Sequence, residues 1–398
     1  MIVPNALAGI FDALSGGPAR LRCLSRCRDS WTRQLLFILA ALTLAVCAPP
    51  CTAGPDQADS AATGSVVTLP ADLPLWAYGY KILPAHIADY QAKCATAKPL
   101  DCGRNTGPHE PLTTVKIAKG SRRAFTLAKV WDNFGPADWF PGDHPRMPKI
   151  VAHGRREAGI RACGLCHLPN GMGLMQNGAP AGLPADYILQ QLRDFREGRR
   201  QSADLNKANA FEMIAVARQL TDEEMKTAAA YFSAVKPRCW VRVVESDVTP
   251  KFNASVNGLF TKMSDETEPL GHRLVEMPED TYETATLRNP RSGYVAYAPV
   301  GSLSRGKMLV MTGSSAGPNG TEPAHTLPCA GCHGANLRGT KLAPPIAGRP
   351  PSYMARQMYD FRYGVRKGPQ AGQMMAVVRN LQEDDVIAIV AYVASLQP

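Results

Sequence analysis

The chain has 398 residues, 45% of them hydrophobic and 20% charged, and a formal net charge of +10. That length allows two or three domains with buried cores, and residues 1–53, with five Arg and two Asp, leave +7 for the remainder. The excess favours acidic partners, and with no Lys/Arg run interleaved with aromatics it does not point to nucleic acid.

Residues 1–53 read as a secretory signal peptide. Arg20, Arg22, Arg26, Arg28 and Arg33 precede an apolar run of 12 residues, Leu35 to Val46, and small residues follow up to Ala53. The run falls short of the roughly 20 residues that span a bilayer, and an uncleaved anchor giving membrane association is the alternative. Val46 before Cys47 does not make a lipidation box. The expected address is the periplasm, an oxidising compartment. Residues 54–149 form an N-terminal extension: a linker rich in Ala, Ser, Gly and Asp to about Pro70, then an irregular stretch with Trp76, Tyr78, Tyr80, Trp131, Phe134, Trp139 and Phe140. It is expected to cover the unit that follows; a partner-docking surface is the other reading. Cys94 and Cys102 are spaced for a local disulfide, with two free thiols as the alternative, and Cys239 is expected to be a buried thiol.

Residues 150–237 form the first of two related units. Cys163-Gly164-Leu165-Cys166-His167 is a C-x-x-C-H pentapeptide, and it returns as Cys329-Ala330-Gly331-Cys332-His333. This is the attachment pattern of a c-type haem: two thiols add across the vinyl groups and the adjacent His binds the iron. A short helix is expected over 150–162, leading into the motif. Apolar residues at 188, 189, 192 and 195 predict an amphipathic helix over 187–198. Thr221 with Glu224 makes a capping-box signature opening a helix to Val235. Residues 238–299 carry short β-prone runs between turn residues and read as a small β-rich insert or linker.

Residues 300–398 then repeat the first unit. At an offset of 166, residues 181–200 and 347–366 are identical at ten of twenty positions. Further on the offset becomes 161, and Met213 falls on Met374, each seven residues before a Leu. A Met on the far side of the iron is a common second ligand, so Met213 and Met374 are the candidates, with Met375 as competitor. Met172 and Met175 are expected to fill a loop and Met358 a core. Structural zinc pairs its Cys motifs at short spacing, whereas these lie 166 residues apart. His144 and His153 are the remaining candidates for the first iron. Arg200 and Arg366 recur at matched places, read either as propionate partners or as solvated helix ends; Tyr187 and Tyr353 recur too, as packing groups or propionate donors.

The order C-x-x-C-H, Gly/Pro loop, Tyr…Gln…Phe…Gly helix, Met and closing Leu…Ala-Tyr helix resembles class I cytochrome c, and the tandem resembles the soluble two-haem periplasmic cytochromes. The resemblance covers roughly 150–237 and 300–398, leaving 54–149 and 238–299 outside it. It implies a mainly α fold of two cytochrome c domains and two covalently bound haem c groups. The thiols are then Cys163, Cys166, Cys329 and Cys332, and the iron ligands His167, Met213, His333 and Met374. It further implies single-electron carriage, not catalysis, between a dehydrogenase or membrane respiratory complex and an acceptor such as a terminal oxidase. The alternatives are a haem enzyme, peroxidase-like or oxidising sulfur compounds, and a cytochrome subunit of a dehydrogenase complex.

Overall fold

In each half a short helix carrying C-x-x-C-H is followed by three longer ones. A computed structural model describes residues 69–104, 107–255, 257–315 and 324–398; the expected signal peptide and most of the linker lie outside them. In the first half α1 is Cys163–His167, α2 Ala185–Arg196, α3 Ala208–Gln219 and α4 Asp222–Ala234. The amphipathic pattern of α2 buries Ile188 and Leu192, and the Thr221–Glu224 capping box opens α4 with both of its bonds present. The expected helix over 150–162 is broken. Only Lys149–Ala152 is α-helical, with a single 3-10 turn at Arg156–Ala158, because Gly154 and Gly159 adopt φ 62° and 68° and Arg155 bridges back to Ile160.

The intervening segment is β-rich, as its short runs predict: β1 Val241–Glu245, β2 Val248–Ala254, β3 Phe260–Pro269, β4 Val275–Pro278 and β5 Tyr294–Ala298. β5 is the centre of a three-stranded sheet, parallel to β1 and antiparallel to β4, while β2 and β3 form a separate antiparallel hairpin. The second half contains α5 Ser302–Thr312, α6 Cys329–His333, α7 Pro351–Arg362, α8 Ala371–Val378 and α9 Glu383–Ser395. α5 has no full-length counterpart in the first half. It lies so close to α9 that a Cβ on Gly306 would fall 2.0 Å from the Ala388 carbonyl oxygen, so only glycine permits this crossing.

One hydrophobic core runs through both halves and the sheet, including Ile188, Leu192, Phe232, Tyr294, Ala355, Tyr359 and Ile389. The N-terminal extension is irregular, as expected, but it does not pack on the first half alone. The Cys94–Cys102 disulfide joins a cluster with Phe211 and Ile214 of α3, whereas Tyr78 Oη donates to Asp360 of α7 at 3.0 Å and Trp76 Nε1 to Glu383 of α9 at 2.8 Å. Cys239 is exposed, contrary to expectation. Trp240, its neighbour, turns into the core instead, and the Cys239 Sγ lies 2.7 Å from Gln397 Oε1. Among the described residues no helix is long and apolar enough to cross a membrane.

Candidate functional site

In α1 a single helical turn carries both thiols and His167. The ring nitrogen Nδ1 of His167 lies 2.8 Å from the carbonyl oxygen of Gly178, and Nδ1 of His333 lies 2.7 Å from that of Pro344. A carbonyl only accepts, so Nδ1 carries the proton in both rings and Nε2 is left with a free lone pair, the tautomer a metal ligand needs. Each carbonyl stands eleven residues after its histidine. Burial holds both imidazoles below their ordinary pKa, which keeps them neutral.

The ends of the two short helices match as well. Leu168 has φ 61° and ψ 156°, and Gly334, at the same place in the repeat, has φ 85° and ψ 155°. A leucine held there is strained, and Leu168 is fixed by complete burial. The last carbonyls are capped by side chains: Asn177 Nδ2 donates to Cys166 at 3.0 Å and Thr340 Oγ1 to Cys332 at 2.6 Å.

A cavity brings Cys163, Cys166, His167 and Met213 together, with Ile188, Leu192 and Phe232 among its walls. The Phe232 ring meets the His167 ring edge-on at 5.9 Å between centroids. Burial pushes the Cys163 thiol up to about 12 and the Cys329 thiol up to about 11, so both stay protonated. Met374 and Met375 both lie half-buried against the core on α8. His144 and His153 do not line it. His144 Nε2 is paired with Asp138 at 3.3 Å, and His153 Nδ1 lies 3.2 Å from the Phe134 carbonyl. Met172 and Met175 are buried in the core, where a loop-filling role puts them.

Arg200 and Arg366 are buried, not solvated at helix ends. Each reaches into the other half. Arg200 Nη2 donates to Tyr353 Oη at 2.7 Å and Gln357 Oε1 at 2.9 Å; Arg366 Nη2 donates to Tyr187 Oη at 2.7 Å and Gln191 Oε1 at 2.9 Å. Their backbones pair as an antiparallel bridge. Burial by itself would raise the Tyr353 phenol, but Arg200 and Arg366 outweigh it and hold the pKa below its ordinary value. The recurrence of Gln191 and Gln357 in the duplicated stretch was a visible signal for this exchange. Lys207 gave no such signal: its amine lines the cavity and donates to the Tyr78 carbonyl at 3.2 Å, and burial holds its pKa well below the ordinary value.

These residues fit a haem. Two adjacent thiols, a neutral His with a free Nε2, a Met and apolar walls suit an iron porphyrin, and guanidinium groups suit its carboxylates. Arg200 lines the cavity. The buried Arg349 donates from Nη1 to the Ala179 carbonyl at 2.7 Å, while its Nε finds no partner among the described residues.

The cytochrome c family model matches residues 319–397. The thiosulfate dehydrogenase electron acceptor of Stutzerimonas stutzeri (strain A1501) is 26% identical over 251 residues, 62% of this chain and 85% of that protein. Cytochrome c4 of Azotobacter vinelandii is 25% identical over 251 residues, 62% of this chain and 89% of that protein. Cytochrome c-554(548) of Halomonas halodenitrificans is 31% identical over 68 residues, 17% of this chain and 82% of that protein. The chain is a haem-binding electron-transport protein, and it belongs to the class I cytochrome c family.

Proposed function

We propose that the chain is a periplasmic carrier of single electrons between redox proteins, with one haem c in each of two cytochrome domains, 150–237 and 300–398. Cys163 and Cys166 hold the first haem and Cys329 and Cys332 the second; His167 with Met213, and His333 with Met374, are the axial ligands. When bound, each haem supplies a reversible one-electron couple whose potential the axial ligands and burial set.

The observation that carries this reading is the repeated histidine geometry: in both halves a carbonyl eleven residues downstream orients the imidazole as a ligand. The side chains do the rest of the work. Met213 shares the cavity with His167, and a filled second position leaves no open site for substrate. Arg200, Tyr353, Arg366 and Tyr187 hold the two halves in one register through bonds of 2.7 Å, which keeps the distance between the two redox centres constant. The name of the Stutzerimonas relative supports a dehydrogenase of sulfur compounds as the electron donor.

Produced in a host that matures c-type cytochromes, the chain should contain two haems, both low-spin, with a methionine-to-iron charge-transfer band in the far red. Met213→Ala and Met374→Ala should each remove about half of that band's amplitude. Loss of the second half from Met375→Ala, and not from Met374→Ala, would move that ligand by one residue. A high-spin haem in the EPR spectrum, or turnover of peroxide, would overturn the carrier reading.

A further inference from the structure

The duplication puts an aspartate at the same point of α2 and α7, Asp194 and Asp360, 166 residues apart. Both are buried, but their partners differ. Asp194 keeps a cation: Arg199 Nε donates to its Oδ1 at 3.0 Å, and Gln190 Nε2 to the same oxygen at 2.9 Å. In the second unit Val365 stands at the place of Arg199 and Arg356 at the place of Gln190. Arg356 bonds elsewhere, its Nη1 to the Ala77 carbonyl and its Nη2 to the Met175 carbonyl, both at 2.7 Å. What donates to Asp360 is uncharged. Oδ1 accepts from the Tyr78 hydroxyl and the Ala203 amide at 3.0 Å, and Oδ2 from Gln357 Nε2 at 3.1 Å.

Asp360 belongs to the second half, yet it lines the cavity that gathers Cys163, Cys166, His167 and Met213. Tyr78 comes from the N-terminal extension, so a segment outside the duplicated units supplies a neutral donor where the first unit uses Arg199. Three cations face Asp360. Arg356 belongs to α7 itself, Arg366 follows α7 and is bonded to Tyr187, and Lys207, at the start of α3, donates to the Tyr78 carbonyl at 3.2 Å. Beyond Tyr78 lies Asp204, which accepts from Tyr80 Oη at 2.6 Å; beyond Arg356 lies the buried Glu276, which accepts from the Ser352 amide at 3.0 Å. Burial has already pushed the Asp360 carboxyl up to about 6. An electron entering this cavity adds a second negative charge to that of the carboxylate, and like charges in a low-dielectric space raise the affinity for a proton.

Resting on the two-haem reading above, we propose that Asp360 takes up a proton when the first haem takes up an electron. One electron goes to the iron and one proton passes from water to a carboxylate oxygen of Asp360; on oxidation both leave. The charge enclosed by the cavity is then the same in the two states. Tyr78 is a positioning residue for this step, because its hydroxyl bonds the ionised carboxylate and so sets the pH at which the proton is taken. Asp194 has its charge balanced by Arg199 and needs no proton.

The test is a potentiometric titration of the full haem-loaded chain at intervals from pH 5 to 8. Met374→Ala leaves only the first haem's far-red band and Met213→Ala only the second's, so each midpoint is read by itself. The first midpoint should fall as pH rises through the region of 6 and level off on either side. A tenfold rise in proton affinity on reduction corresponds to a total fall of about 59 mV. The second midpoint should move by less than half as much. In weakly buffered solution near pH 6, reduction of the parent chain should also consume protons, as read by an indicator dye. Asp360→Asn should abolish both the fall and the uptake. Tyr78→Phe should keep the fall and move it up by about one pH unit, the worth of a hydrogen bond to a charged group. A fall that survives Asp360→Asn would give the proton to the haem propionates or, where Lys207→Met removes it, to that amine; either result would overturn the proposal. So would equal falls at both haems, or a first midpoint that ignores pH. The two readings fail separately: missing far-red bands reject the iron ligands, whereas intact bands with a flat first midpoint reject only the proton.

Discussion

At the scale of single residues, the site depends on groups whose burial changes what they do. Asp360 accepts from Tyr78 Oη and from the Ala203 amide, both at 3.0 Å, yet burial still pushes its carboxyl up to about 6. The folded chain therefore binds this proton more tightly than the unfolded chain, where an aspartate titrates near 4. Its contribution to stability is full below about pH 4 and is lost as pH rises to about 6, a loss on the order of 3 kcal/mol. Asp360→Asn should flatten the decline, as measured by urea unfolding at intervals from pH 4 to 7. An unchanged slope would place the titration elsewhere. The residue recurs with Asp194 in the duplicated stretch, so its position was legible in the sequence; its burial followed from Tyr78, 282 residues away in the chain.

Among the elements, the legible ones were those with a local signal. The Thr221–Glu224 capping box appears as read, and Thr221→Ala should cost about 1 kcal/mol, seen as a drop of a few degrees in melting temperature. The α5 helix carried no comparable signal, because Gly306 interrupts it. That glycine exists for a contact, not for a turn. Gly306→Ala would press a methyl group into the Ala388 carbonyl of α9, and a loss of roughly 2–3 kcal/mol is expected. A variant as stable as the parent in a thermal melt would mean that α5 can slide away from α9. The helix expected over 150–162 failed for the opposite reason: its apolar residues are present, but Gly154 and Gly159 take left-handed conformations that stop it.

Across the whole molecule, the extension and insert are structural parts of the electron-carrying body. The Cys94–Cys102 disulfide, with eight residues of sequence separation, packs on Phe211 and Ile214 of α3, the helix that carries Met213. Replacing both cysteines with Ala should destabilise the chain by about 2–3 kcal/mol through the freed loop. The perturbation should reach the first haem's far-red band and leave the second's unchanged. Equal effects at both haems would show that the disulfide acts on the molecule as a whole and not through α3.

The sequence by itself carried the signals that point to haem: two C-x-x-C-H motifs at a constant offset and a matched Met behind each, in mainly helical units around a β-rich insert. Those features depend on neighbours within a few residues or on the repeat itself, and both can be read along a chain. Only the tertiary structure decided that Arg200 and Arg366 exchange partners between the halves, that Cys239 faces outward beside a buried Trp240, and that the insert reaches over the first motif. Each of these depends on which distant segment fills a given space. Arg288 meets Leu165 across 123 residues, and such a meeting is set by packing, which has no local trace.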